Sequence, residues 1–130
     1  MKKILILLMG ILILAGCEKA NNNVTYHSAT DSLVEIDKIT YEDTLVKLQE
    51  GALLIDVRTL DEYNEGHISK ALSLPQENIT EDTAKNIIPT KDTVVILYCK
   101  SGKRSYQAGV KLENLGYTNI YDFGTMDNWK

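Results

Sequence analysis

Residues 93–116 read TVVILYCKSGKRSYQAGVKLENLG, and they join the clearest strand pattern in the chain to its clearest helix pattern. The apolar, β-branched run at 93–98 is typical of a buried strand. Apolar side chains recur at helical spacing over 104–115, and Gly116 predicts the end of that helix. Residues 99–105, CKSGKRS, therefore form a loop between the carboxyl end of a strand and the amino end of a helix.

The chain on either side of this loop alternates between strand and helix patterns. Further strands are predicted at 33–36, 52–57, 71–74 and 119–123, and further helices after Thr40, at 60–64 and at 81–88. The predicted apolar faces are Tyr41, Leu45, Val46 and Leu48 in the first helix and Tyr106, Val110, Leu112 and Leu115 in the last. This alternation favours an α/β domain with a mainly parallel central sheet. In such sheets ligands bind beyond the carboxyl ends of the strands, where the loop at 99–105 lies.

The first 16 residues have the pattern of an export signal. Two lysines precede an apolar run of 11 residues at 4–14, which is shorter than the ~20 residues that span a membrane. The motif LAGC at 14–17 resembles the lipobox of bacterial lipoproteins. That resemblance implies cleavage before Cys17, a lipid on its sulfur, and an extracytoplasmic location at a bacterial membrane. Residues 17–32 are then a polar tether and 33–130 the domain; an uncleaved anchor is the alternative.

Charge and cysteine content narrow the range of functions. The chain has 14 Lys and Arg against 18 Asp and Glu, so loss of the two lysines in the signal leaves 12 against 18, or a net charge of −6. This balance disfavours a nucleic-acid partner, because phosphate binding needs a basic face. The two cysteines are Cys17 and Cys99. If Cys17 carries lipid, Cys99 is an unpaired thiol in an oxidising compartment, which indicates a reactive cysteine or an inert buried one.

The loop at 99–105 concentrates features that activate a thiol. Beside Cys99 it contains three cations, one glycine and two serines: Lys100, Lys103, Arg104, Gly102, Ser101 and Ser105. The cations and the amino end of the following helix favour the thiolate. The glycine permits a curled backbone whose N–H groups point inward, and the serines supply hydroxyl groups. The loop is suited to hold an anionic sulfur and an anionic substrate; a surface loop with solvated lysines is the alternative.

Three segments resemble the rhodanese-like sulfurtransferase family, over roughly residues 35–129. Residues 53–72 (LLIDVRTLDEYNEGHISKAL) are similar to its Asp-x-Arg, Glu-Tyr and Gly-His-Ile signature. Residues 99–105 are similar to its active-site loop, and 124–129 (GTMDNW) to its closing Gly-Gly-Met-x-x-Trp element. The sequence departs from the family pattern at Thr125, where a second glycine is usual, and this departure bears on the geometry of the local turn.

The resemblance implies a three-layer fold and the chemistry of a thiosulfate sulfurtransferase. Cys99 would take sulfur from a small anionic donor such as thiosulfate as a persulfide, and pass it to cyanide, a thiol or a protein acceptor. No cofactor is implied beyond that transient persulfide. No metal is predicted either, because the acidic pair Asp61 and Glu62 has no further metal ligands beside it. The amides of 100–105 would cradle the persulfide while Lys103 and Arg104 contact the donor. Arg58 would orient either the substrate or the loop.

The remaining signature residues are interpreted as structural. Asp56 is expected to fix the backbone or the neighbouring arginine at the end of a buried strand. His67 is expected to structure its turn, although a role as catalytic base is the alternative. Glu62 and Tyr63 are expected to pack and bond locally, and Trp129 to cover one edge of the core.

Three other functions stay open on the sequence. Cysteine phosphatases also use a thiolate in an anion-binding loop, but by resemblance they place five residues between Cys and Arg, whereas four separate Cys99 from Arg104. A non-catalytic rhodanese-like binding module would have less use for Cys99 and the intact cationic loop, whereas a sulfur carrier would use the same residues and differ only in its acceptor. A thiol redox partner usually has a second cysteine nearby, and the predicted domain contains no other.

Overall fold

The computed structural model describes residues 34–130. The strands in this part of the chain are β1 (Asp37–Lys38), β2 (Leu53–Asp56), β3 (Leu72–Ser73), β4 (Val95–Cys99) and β5 (Ile120–Thr125). The helices are α1 (Tyr41–Gln49), α2 (Leu60–Glu65), α3 (Glu81–Ile87) and α4 (Lys103–Asn114), with short 3-10 turns at Gln76–Asn78 and Met126–Asn128. The predicted signal at 1–16, lipid site at Cys17 and tether at 17–32 lie outside the described residues.

The five strands form one parallel sheet in the order β1-β5-β4-β2-β3. The central strand β4 pairs with β2 on one side and β5 on the other, so that Ile96 lies opposite both Leu54 and Tyr121. The register between β4 and β5 shifts after Leu97, and Cys99 at the strand end lies opposite Thr125. The predicted α/β fold with a parallel five-stranded sheet is confirmed.

Side chains of β4 alternate between two cores on opposite faces of the sheet, as the pleat of a strand requires. Val95, Leu97 and Cys99 belong to the core that α3 and α4 cover, while Ile96 and Tyr98 belong to the other. Residues of α1 and the C-terminal segment pack on that second core. Helices therefore lie on both faces, and the cysteine points toward the face that carries α4.

Threonines set the starts of three helices, which is why their predicted boundaries are close to the observed ones. The side chain of each accepts a hydrogen bond from the third backbone N–H of its helix: Thr40 from Asp43, Thr59 from Glu62, and Thr80 from Thr83. Such a cap is worth ~1 kcal/mol because it satisfies an N–H group that has no partner within the helix.

The predicted first strand is displaced along the chain. The expected strand at 33–36 is wrong, because β1 is the two-residue strand that follows it. Ile36 is instead buried against α4, where a Cβ atom on Gly109 would lie only 3.0 Å from its Cγ1. The strand is held to β5 by Lys38, whose ammonium pairs with the buried carboxylate of Asp122.

Two predicted apolar helix faces also need correction. Leu45 and Val46 of α1 are 37% and 53% exposed, and Tyr106 of α4 is 43% exposed. The buried positions are small side chains for the most part: Thr44 in α1, and Ser105, Ala108, Gly109 and Leu112 in α4. Small side chains let a helix lie close to the sheet, so apolar spacing alone did not identify the packed face.

Candidate active site

Cys99 ends the central strand and lies beneath the loop that leads into α4. The side chain is fully buried, and the thiol forms no disulfide within the described residues. The five residues of β4 are all buried, since the strand lies between the two cores. The buried strand β4 therefore fixes the position of this sulfur.

Backbone N–H groups converge on the sulfur of Cys99. The N–H of Gly102 donates to Sγ at 3.0 Å, and the N–H of Ser105 does so at 3.4 Å. The Ser105 hydroxyl lies 3.6 Å from Sγ. Gly102 adopts φ +91°, which a residue with a side chain reaches only with strain, and this turn brings its own N–H onto the sulfur. These donors stabilise negative charge on sulfur.

The amino end of α4 adds to this effect. Gly102 precedes the helix and provides no side-chain cap, so the first N–H groups of a 12-residue helix remain free of a capping side chain. The positive end of the helix dipole is thus directed at the sulfur rather than neutralised locally. Ser105, in the first turn, donates its hydroxyl hydrogen to the Gly102 carbonyl at 3.0 Å, which tightens the curl of the loop.

The three predicted loop cations differ in their surroundings. Lys100 and Lys103 are exposed. Arg104 forms a two-bond ion pair with Glu62, with Nη1–Oε1 at 2.6 Å and Nη2–Oε2 at 3.1 Å. The bond to Arg104 lowers the pKa of Glu62 to about 2, and the same bond raises the pKa of Arg104, with a further contribution from the charge of Cys99. Of the three loop cations, Arg104 is therefore the one that a carboxylate within the described residues already pairs.

Glu62 has a wider role than the predicted local one. Its Oε1 accepts a hydrogen bond from the Thr59 hydroxyl at 3.2 Å, within the first turn of α2. The carboxylate also reaches Arg104, 42 positions away in the sequence. Neither helix pattern in the sequence predicts this contact. The contact forms only because α2 and α4 come together at the ends of β2 and β4.

Arg58 is held just beyond the end of β2 by a buried network. Its guanidinium donates to Asp56 through Nε at 3.0 Å and Nη2 at 2.7 Å, and Nη2 also donates to the Gly66 carbonyl at 2.7 Å. Asp56 further accepts the Tyr98 hydroxyl at 2.8 Å, while burial raises the pKa of that tyrosine. The Tyr98 oxygen in turn accepts the N–H of Ile68 at 3.1 Å. Arg58 thus ties the end of β2 to the turn after α2.

His67 lies on the surface of that same turn. Its Nδ1 is 2.9 Å from the carbonyl oxygen of Tyr63, and its ring stacks on the Tyr63 ring with centroids 3.7 Å apart. The Tyr63 hydroxyl donates to the Ala71 carbonyl at 2.7 Å. These contacts agree with a structural interpretation of His67.

Thr125 contacts the loop at 99–105, although the sequence alone did not indicate a role for it at the site. Its hydroxyl donates to the carbonyl of Lys100 at 2.6 Å. The signal that could have pointed to it is the departure from the family pattern at this position. The turn needs only one glycine here, because Gly124 has φ +83° whereas Thr125 has the ordinary extended values of φ −80° and ψ 133°.

Comparison with known proteins agrees with this geometry. Residues 40–130 match the family described as the rhodanese-like domain. The chain belongs to that family. Its rhodanese-like domain is 34% identical over 70 residues to thiosulfate sulfurtransferase PspE of Escherichia coli (strain K12), a match that covers 54% of this chain and 66% of that protein. It is 41% identical over 86 residues to a sulfurtransferase of Allochromatium vinosum, covering 66% and 77%.

A solved structure gives the same fold. The structure described as rhodanese with anions from E. coli superposes on this rhodanese-like domain with a TM-score of 0.55 and 31% identity, covering 60% of this chain and 91% of that chain. Within residues 34–130 of the rhodanese-like domain, no three His, Cys, Asp or Glu side chains are grouped so as to hold a metal ion. The helices described there also include none long and apolar enough to cross a membrane.

Proposed function

We propose that the protein is a sulfurtransferase that moves sulfur from thiosulfate, or a similar small anionic donor, to a thiophilic acceptor through a persulfide on Cys99. The observation that carries the proposal is the convergence of the Gly102 and Ser105 N–H groups on the buried sulfur, at 3.0 and 3.4 Å. Relatives named as thiosulfate sulfurtransferase and sulfurtransferase support it.

The first half-reaction loads the enzyme. The Cys99 thiolate attacks the outer sulfur of thiosulfate, a new S–S bond forms, and the original S–S bond breaks. Sulfite leaves with the bonding electron pair and carries two of the three negative charges of the reactants. The third charge lies on the terminal sulfur of the persulfide. The Gly102 and Ser105 N–H groups stabilise the Cys99 thiolate before the attack, and the remaining N–H groups of the loop are the donors available to the terminal sulfur.

The second half-reaction unloads the enzyme. The anionic or nucleophilic acceptor, a thiolate or cyanide, attacks the terminal sulfur and takes it, and the Cys99 thiolate leaves with the electron pair. No net oxidation and no cofactor is needed for either step. The exposed ammonium groups of Lys100 and Lys103 attract anions to the loop, and Arg104 adds a fixed guanidinium whose charge Glu62 partly offsets.

Intact-mass spectrometry of the purified full chain, before and after addition of thiosulfate, tests this function. We expect a gain equal to the mass of one sulfur atom, its removal by cyanide, and no gain in the Cys99→Ser variant with the fold retained. Retained loading in that variant would refute the role of Cys99. A wild-type protein that stays unmodified with its thiol reduced and accessible would instead favour a binding module.

We further propose that the protein is exported and held at a bacterial membrane by lipid on Cys17. The support is the export pattern of residues 1–16 and the LAGC motif. Metabolic labelling with an alkyne fatty acid, followed by mass analysis of the N-terminal peptide, should place the lipid on Cys17. A Cys17→Ser variant should lose the label and remain with its signal uncleaved, whereas labelling that persists in this variant would exclude the assignment.

A further inference from the structure

Thr125 connects the end of β5 to the loop around Cys99. Its hydroxyl donates to the Lys100 carbonyl at 2.6 Å and accepts the backbone N–H of Asp127 at 3.2 Å. One hydroxyl has one hydrogen to donate and lone pairs to accept, so both bonds form together. Because Thr125 lies opposite Cys99 in the sheet, its side chain reaches the carbonyl group of Lys100, the residue that directly follows the nucleophile.

This bond determines the orientation of the peptide between Lys100 and Ser101. In a planar trans peptide the C=O and N–H vectors point in opposite directions. With the Lys100 carbonyl turned toward Thr125, the Ser101 N–H is turned away from it. Among the described residues, the Ser101 N–H has no hydrogen-bond partner, whereas the next N–H along the loop, that of Gly102, donates to the sulfur. The Ser101 N–H is therefore available to a ligand.

The loop lies directly on the segment that carries Thr125. A Cβ atom placed on Gly102 would be 3.6 Å from Cα of Gly124 and 3.9 Å from the nitrogen of Thr125. This separation is ordinary van der Waals contact. A side chain at position 125 can thus act on the loop without the loop having to move.

We propose that Thr125 is a positioning residue, whose hydroxyl holds the Lys100–Ser101 peptide so that the Ser101 N–H is presented to the anionic sulfur beyond Sγ, in the donor and in the persulfide. The inference rests on the proposed function. In this arrangement the Ser101 N–H stabilises the negative charge on the outer sulfur. The N–H groups of Gly102 and Ser105, which already contact Sγ, stabilise the charge on Sγ itself.

The test compares two reactions of Cys99 in the full chain. The first is loading by thiosulfate in a single turnover, which creates charge on the terminal sulfur. The second is alkylation by iodoacetamide, which needs only the thiolate. In Thr125→Val we expect loading to slow roughly fivefold, the effect of one lost hydrogen bond, with alkylation unchanged. Thr125→Ser should load at the wild-type rate, and Thr125→Ala provides a second variant without the hydroxyl.

Thr118→Val is the matched control. The Thr118 hydroxyl also donates to a backbone carbonyl distant in sequence, that of Lys91 at 3.3 Å, but just before β5 begins, at the other end of the sheet. This variant should load at the wild-type rate. Equal loading in Thr125→Val, Thr118→Val and wild type would overturn this inference but not the proposed function. The same holds if alkylation of Thr125→Val slows as much as its loading, or if Thr125→Ser loads as slowly as Thr125→Val. A wild-type protein that takes up no sulfur would overturn the proposed function and this inference with it.

Discussion

Arg104 and Glu62 are bound to each other by two parallel hydrogen bonds at 2.6 and 3.1 Å, although 42 positions separate them in the sequence. Their side chains remain 29% and 30% exposed, so the pair lies at the surface beside the loop rather than in the core. A cation that is expected to meet the donor anion is therefore already partnered in the free protein. Any anion that uses Arg104 must share it with a carboxylate.

This arrangement predicts opposite effects for its two partners. Arg104→Ala leaves the Glu62 carboxylate unpaired near the loop, so thiosulfate loading should slow about tenfold, the loss expected for one hydrogen bond to a charged group. Glu62→Gln frees the guanidinium, so loading should become faster, and more so at low ionic strength. Single-turnover loading rates at several salt concentrations measure both effects.

The control is Glu81→Gln, which removes the same charge from another exposed ion pair. Glu81 pairs with Lys91 at 2.8 Å, at the start of α3. This variant should leave the loading rate unchanged if the effect of Glu62 is local. Slower loading in Glu62→Gln would contradict the idea that the carboxylate competes with the donor, and would indicate that it holds Arg104 in its working position.

The same ion pair predicts a dependence of stability on pH. Hydrogen bonding to Arg104 lowers the pKa of Glu62 from the ordinary 4.5 to about 2. The Glu62 carboxylate thus binds a proton more tightly in the unfolded chain than in the folded protein. The stabilisation is complete above pH 4.5 and is lost as the pH falls toward about 2. Thermal unfolding of wild type and Glu62→Gln should show a small difference near neutral pH that shrinks across this range; a constant difference would contradict the assignment.

The buried Asp56–Arg58 pair predicts a large loss of stability. Asp56 is fully buried and Arg58 is 7% exposed. Asp56→Asn should destabilise the protein by about 3 kcal/mol, because the guanidinium loses its buried counter-charge. Urea denaturation measures the loss, with the exposed Glu81→Gln change, expected to cost less than about 1 kcal/mol, as the comparison. Equal costs for the two variants would show that Asp56 is not needed as a charge.

Gly102 predicts a separation of stability from activity. Gly102→Ala should cost about 1 kcal/mol because alanine must adopt a positive φ. Gly116→Ala meets nearly the same strain, at φ +94° against +91°, but lies beyond the far end of α4. Both variants should unfold at similarly lower urea concentrations, while only Gly102→Ala should slow sulfur loading. Equal loading by the two variants would show that the conformation of Gly102 is not needed for the chemistry.

Much of the fold could be predicted because its signals are local. The buried run of β4, the threonine cap of α1 and the glycines that end helices act through the backbone within a turn or a pleat, so a short stretch of sequence carries the whole signal. The location of the nucleophile follows from the same patterns, since a strand that runs into a helix in a parallel sheet places the connecting loop at the ligand-binding edge. Local sequence patterns alone therefore predicted where Cys99 lies in the fold.

The failures have a common cause in contacts between distant segments. The strand predicted at 33–36 is replaced by the packing of Ile36 against Gly109, and the exposed position of Tyr106 follows from which face of α4 approaches the sheet. The partners of Arg104 and Thr125 lie 42 and 25 positions away. Composition and spacing determine which elements form and which residues can react. The charge left free at the loop, and the orientation of its peptides, depend on which side chains meet when the elements pack, because hydrogen bonds and ion pairs act only over a few ångströms.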